Sequence, residues 1–271
     1  MRNIPFALAC LLAGLLGAAE VGQLPGAGKL DHSAWSRLLR QYETPQARVD
    51  YRALKTNGAR DLQAYLKQLA APWPKGLTPD ERKAALINAY NALAVNWILR
   101  NYPLESIWRT SHPFTEVRHM LDGRLVSLDQ IETELRSMGD PRIHGAVVCT
   151  ALSCPPLRRE AYLAERLDQQ LDDNVRVWLA DNSLNRFDPA GRKAELSMIF
   201  DWYKGDFQKA GSSLTAFLSR FAPEARAGYL REPGVQIAYL PYRWGLNDAS
   251  GIGAGYSQAS FLADSVKNKL K

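Results

Sequence analysis

The chain has 271 residues, 46% of them hydrophobic and 23% charged, with a formal net charge of +6. That is the composition of a folded globular protein long enough to bury a sizeable core, and the mild basic excess, with no Lys/Arg block interleaved with aromatics, argues against a nucleic-acid binder. Three cysteines and four histidines confine thiol and imidazole chemistry to a few positions.

The first residues read as an export signal. Arg2 supplies a positive start, residues 4–16 are nearly all apolar or small, and Gly17-Ala18-Ala19 resembles a signal-peptidase site. Cleavage near Ala19 leaves residues 20–271 as one domain in an oxidising space such as a bacterial periplasm, where paired cysteines tend to become disulfides. Cys10 leaves with the signal, so Cys149 and Cys154 remain. No later stretch approaches the ~20 apolar residues of a membrane span, so none is expected in the mature chain.

Residues 31–41 read as a first helix, capped by Asp31 and burying Trp35, Leu38 and Leu39. Val49-Asp50-Tyr51 is a brief extended piece. A second helix over 61–70 carries Leu62, Tyr65, Leu66 and Leu69 at helical spacing and is broken by the Pro/Gly-rich stretch 71–76. Thr78-Pro79-Asp80-Glu81 then opens the most distinctive helix, expected over about 78–101, with an N-cap, a first-turn proline and early acidic residues. It is apolar nearly all the way round, as a helix buried on most of its circumference must be. Asn88, Asn91 and Asn96 interrupt it. A buried amide left without partners costs roughly 1 to 3 kcal/mol, so Asn88 and Asn91, on one face, must bond either to a neighbouring loop's backbone or within a site.

Asp122-Gly123 between two short apolar runs predicts a hairpin, and Ser127 caps a helix through Leu128, Ile131 and Leu135. Residues 143–150 read as a short buried strand. Ser153-Cys154-Pro155-Pro156 ends it, and the prolines suit the first turn of a following helix. Cys154 would then sit at a helix N-terminus, where free N–H groups and the helix dipole favour a thiolate. A long helix follows over 163–180. A second hairpin over 185–196 turns at Pro189-Ala190-Gly191, and Ile199, Phe200, Trp202, Tyr203 and Phe207 form an aromatic cluster read as core. A helix over 212–221, a strand over 235–240, a turn over 241–248 and a short amphipathic end complete a helix-rich α+β domain around a small sheet.

Taken together, the blocks 84–93, 127–132 and 141–158, followed by 196–207 and 239–247, resemble the domain of unknown function 547 family. The resemblance covers roughly residues 80–250, with five blocks in order. It implies an α+β domain and a bacterial envelope-type protein, and brings no settled activity. In the last block an acidic residue is expected between Tyr242 and Trp244, and Arg243 stands there instead.

Four chemistries compete for the 143–158 stretch. In thiol-dependent acyl transfer or hydrolysis, Cys154 is the nucleophile and His144 the base, with His119 as second choice. Asn88, Asn91 or Glu132 orients the imidazole, and backbone N–H groups serve the oxyanion. No histidine follows Cys154, which excludes a papain-like order. Alternatively Cys149 and Cys154 form a disulfide, structural or redox-active, if residues 150–153 turn sharply. A metal site from His144, Cys149, Cys154 and Asp140 matches no common zinc spacing, so neither metal nor cofactor is expected. The last reading is a non-catalytic envelope binding module for a small-molecule or peptide-like ligand, held in a groove between the asparagine helix and the 239–247 segment. Tyr90, Arg158, Tyr242, Trp244 and Asn247 are its candidate contacts.

Overall fold

The computed structural model describes residues 29–211 and 213–269; the expected signal segment at 1–19 lies outside them. Helix α1 (Ser33–Tyr42) buries Trp35, Leu38, Leu39 and Tyr42. Asp31 holds its start by accepting the Ser33 N–H at 2.8 Å, although the cap position itself falls on His32. Asp50 caps α2 (Tyr51–Ala53), which runs through a π-helical turn at Leu54–Gly58 into α3 (Ala59–Ala70). The second helical segment therefore begins earlier than its apolar spacing implied.

Helix α4 (Pro79–Asn101) starts with the expected capping box, Thr78 and Glu81 each bonding the other's backbone. Its residues from Ala84 to Asn96 are all buried, and the many alanines let neighbours approach from every side. The hairpin β1 (His119–Leu121) and β2 (Arg124–Val126) turns at Asp122 and Gly123, both at positive φ. Ser127 caps α5 (Leu128–Ser137) with a second capping box.

The 143–150 strand and the helix after Cys154 do not form. Asp140 and Pro141 instead start a 3₁₀ turn over Pro141–Gly145, with the Asp140 carboxylate accepting the Arg142 N–H at 3.1 Å. The apolar run is buried as its composition requires, but side-chain amides replace a ladder of neighbouring strands: Asn174 donates to the Gly145 carbonyl, and Asn91 takes the Ala146 carbonyl and the Val148 N–H. After Cys154, Pro156 disfavours helical backbone at Pro155, and neither proline has an N–H to give. Residues 155–163 stay irregular, and helix begins only with the 3₁₀ turn Ala164–Arg166 and α6 (Leu167–Ala180).

Strands β3 (Arg186–Asp188) and β4 (Lys193–Ser197) form the second hairpin, and β5 (Gln236–Leu240) pairs with β4 in parallel, Lys193 opposite Gln236 through Ser197 opposite Leu240. Parallel strands leave a sheet at the same end. Here β4 leads into α7 (Ile199–Trp202) and β5 into residues 241–247, so two aromatic segments distant in sequence emerge side by side. Helices α8 (Lys204–Gly211), α9 (Leu214–Phe221), α10 (Glu224–Ala227) and α11 (Gln258–Lys269) complete the chain. One continuous hydrophobic core joins α1 to the 242–246 segment, giving a helix-rich α+β fold with a two-stranded and a three-stranded sheet. Among the described residues no helix is long and apolar enough to cross a membrane.

Candidate functional site

Asn88 and Asn91 bracket the segment that carries both cysteines. Asn88 donates to the Tyr162 carbonyl at 2.8 Å and accepts the Tyr162 N–H at 2.9 Å. Asn91 makes the same paired contact with Ala146 O and Val148 N, at 2.9 and 2.8 Å. From the other side the segment 243–247 grips the loop: Leu152 N–H donates to Gly245 O at 2.7 Å, Asn247 N–H to Thr150 O at 2.9 Å, and Arg243 N–H to Ser153 Oγ at 2.9 Å. Gly245 is required there, because a Cβ would strike the carbonyl of Gly253.

Thr150 is held at φ 68°, a region that a β-branched residue seldom adopts. The reversal brings Cys149 and Cys154 together as a disulfide, their Cα atoms 6.2 Å apart. It also turns two N–H groups onto one sulfur: Cys154 Sγ accepts from Cys149 N–H at 3.1 Å and from Ala151 N–H at 3.3 Å. The Tyr242 hydroxyl lies 3.4 Å from the same sulfur and 3.1 Å from Cys149 Sγ. Although no helix begins at Cys154, the bent loop supplies the N–H donors expected from one.

Above the disulfide opens a cavity of about 260 Å³. Trp108, Phe114, Trp202 and Trp244 form its aromatic wall, with Trp202 stacked 5.7 Å from Trp244 and Tyr242 4.5 Å from Trp244. Tyr90 from α4, Tyr203 after α7 and Tyr242 add three phenols, and α5 adds Asp129 at the exposed rim and half-buried Glu132. Among the described residues no lysine or arginine lines it.

Burial raises the Glu132 carboxyl above its ordinary range, against the pull of a hydrogen bond from Tyr203 and the charge of Arg136. The Tyr203 phenol is raised in turn, by burial and by Glu132. His144 also lines the cavity, only 2% exposed and stacked on Tyr203 at 4.0 Å. Burial lowers its pKa to about 4, although Asp206, 2.9 Å from Nε2, opposes the shift. The ring is therefore neutral at pH 7, and with Nε2 committed to Asp206 its Nδ1 is the nitrogen left for chemistry. Trp108 Nε1 is buried with no hydrogen-bond partner among the described residues.

Of the candidate site residues read from the sequence, Cys149, Cys154, His144, Glu132, Tyr90, Tyr242 and Trp244 meet at this cavity. Asn88, Asn91, Asn247, Arg158 and His119 do not. Asn88 and Asn91 lie behind the loop and bond only its backbone, which makes them positioning residues. Asn247 also sits behind the loop, its Oδ1 accepting the Tyr51 hydroxyl at 2.8 Å. Arg158 faces Glu160 at 2.8 Å and lines a separate cleft with Arg40, Arg159 and Glu160. His119 packs against Trp97, away from the cavity. The aromatic cluster read as core divides: Phe200 and Phe207 are fully buried, whereas Trp202 and Tyr203 face the cavity. Trp108 and Phe114 carried no local sequence signal, since only the tertiary fold brings them here, and the same holds for Asp206, which bonds His144 from a neighbouring cleft. Among the described residues no group of three or more His, Cys, Asp or Glu is placed to hold a metal ion.

Three aromatic-rich segments, a half-buried carboxylate and a sulfur pair at one cavity can bind a ligand, stabilise its charge or exchange thiols. No curated protein and no solved structure matches the chain. Residues 74–179, from the turn before α4 through both cysteines to α6, match the family model described as Protein of unknown function, DUF547, and over that segment the chain resembles this family.

Proposed function

We propose that the protein is an exported ligand-binding module, acting in the periplasm, whose cavity takes a small molecule or peptide-like group bearing an apolar body and a cationic end. The observation that carries this reading is the lining itself: aromatic faces and the Asp129 and Glu132 carboxylates, with His144 held neutral and no lysine or arginine among the described residues. Aromatic faces attract a cation through their quadrupole, by ~0.5–2 kcal/mol each depending on desolvation, and a carboxylate in the same space adds a charge-assisted hydrogen bond. The disulfide closes the floor and leaves no free thiol at the cavity. Titration of the mature protein with phenylethylamine and with phenylpropionate, followed by tryptophan fluorescence and calorimetry, tests it. The amine should bind and the carboxylate should not; equal binding, or preference for the carboxylate, sinks the proposal.

A second reading, thiol-dependent acyl transfer or hydrolysis by reduced Cys154, is favoured by the two N–H donors at its sulfur and by neutral His144 in the same cavity. It predicts thioester or activated-ester turnover only under reducing conditions, lost in Cys154→Ser. Turnover that survives that substitution excludes it.

A further inference from the structure

The two sulfurs of the Cys149–Cys154 bridge are unequally placed. Cys154 is buried, 6% exposed, while Cys149 is only partly covered, and both border the cavity. The N–H groups of Cys149 and Ala151 both point at Cys154 Sγ, whereas no backbone N–H among the described residues points at Cys149 Sγ; the Tyr242 hydroxyl lies between the two, 3.1 Å from Cys149 Sγ and 3.4 Å from Cys154 Sγ. In thiol–disulfide exchange the incoming thiolate needs access to one sulfur, and the other leaves as an anion, faster the better that anion is stabilised. The bridge meets both requirements, one at each end. Its loop is also held by contacts that do not involve sulfur, namely Asn91 and the 243–247 backbone, so the donors stay in place when the bond opens.

We infer that this disulfide is redox-active toward external thiols, with Cys149 the sulfur attacked and Cys154 the leaving thiolate. The reductant is a small-molecule or protein thiol that enters through the cavity. Its thiolate attacks Cys149 Sγ and forms a mixed disulfide; the bond between Cys149 Sγ and Cys154 Sγ breaks, and the electron pair goes to Cys154 Sγ. There the Cys149 and Ala151 N–H groups and the Tyr242 O–H stabilise the charge. A second thiolate attacks the reductant's sulfur and releases Cys149, and the two cysteine sulfurs end with the two protons that the thiols lost. The net change is one protein disulfide and two thiols giving one protein dithiol and one external disulfide, a two-electron reduction. The reverse sequence oxidises a partner dithiol. None of this requires that the cavity bind a cationic ligand.

The test uses the wild-type mature chain. It is incubated with reduced glutathione under native conditions, quenched with excess iodoacetamide, and mapped by peptide mass spectrometry. The expected intermediate carries glutathione on Cys149 and the alkyl group on Cys154. Glutathione on Cys154, an equal mixture, or reduction only after denaturant is added would each overturn the assignment. In Tyr242→Phe, which removes one donor to the leaving sulfur, native reduction should slow by roughly three- to tenfold; an unchanged rate also counts against it.

Discussion

The two sides of the segment 146–162 differ in what their polar groups bond to. On the α4 side, Asn88 and Asn91 use both amide atoms on backbone N–H and C=O groups. On the cavity side, polar groups bond other side chains: Glu132 with Tyr203, His144 with Asp206, and Tyr242 with the two sulfurs. A backbone partner cannot leave without local unfolding, but a side-chain partner can turn away and be replaced by a ligand atom. The same polarity therefore serves as scaffold on one side and as a reactive or binding surface on the other.

Breaking the scaffold side should have the largest effect. Asn91→Ala leaves the Ala146 carbonyl and the Val148 N–H buried without partners, at ~1–3 kcal/mol each, so a loss of about 2–6 kcal/mol in chemical denaturation is expected. Asn88→Ala, which orphans both backbone groups of Tyr162, should cost about the same. If either substitution leaves stability within ~1 kcal/mol of wild type while abolishing ligand binding, the assignment of the two sides is reversed.

The difference between the sides also decides what was legible beforehand. Helix α4, both hairpins, β5 and the helix after Ser127 were readable because capping boxes, Asp-Gly and apolar spacing are local signals. The 143–150 run reads as a strand and folds otherwise for a physical reason: a buried apolar stretch has the same composition whether its backbone is satisfied by neighbouring strands or by Asn91 and Asn174, and that choice is tertiary. Cys154, His144, Tyr90, Tyr242 and Trp244 were found because a few reactive or aromatic residues stood in one of the distinctive blocks. Trp108 and Phe114 were not, since they reach the cavity only through the packing of distant segments, and Asp206 meets His144 from a neighbouring cleft by the same route.

Three buried histidines, His32, His119 and His144, give the scaffold a pH signature. Burial lowers each to about 4. Between about 4 and 6.5 the unfolded chain binds protons at these rings that the folded chain refuses, so their contribution is intact above pH 6.5 and is lost as pH falls. Glu43 acts oppositely: burial raises it to about 8 despite Arg159, so it destabilises as pH climbs from 4.5 toward 8. Thermal unfolding should therefore show greatest stability near pH 6.5, a steep fall on the acid side and a shallower one on the alkaline side. A flat profile from pH 4.5 to 6.5 would mean that these rings are not held neutral.

On the cavity side the effects are smaller and fall on binding. A cationic ligand favours ionised Glu132, so amine affinity should rise with pH through the raised pKa of that carboxyl and then level off. Glu132→Gln should weaken amine binding roughly 10- to 100-fold, the ~1.5–3 kcal/mol of a charge-assisted hydrogen bond, and should abolish that pH dependence. Trp202 provides the finest test, because it is 45% exposed and makes its ring contacts with Tyr242 and Trp244 at the cavity mouth. Its replacement by Ala removes one aromatic face and little core, so binding should weaken by about 0.5–2 kcal/mol with the unfolding midpoint nearly unchanged. Replacement by Phe keeps a face with a weaker quadrupole and should fall between the two. A Trp202→Ala protein that binds the amine as wild type does, while Glu132→Gln does not, would leave the carboxylate as the recognition element and reduce the aromatic wall to packing.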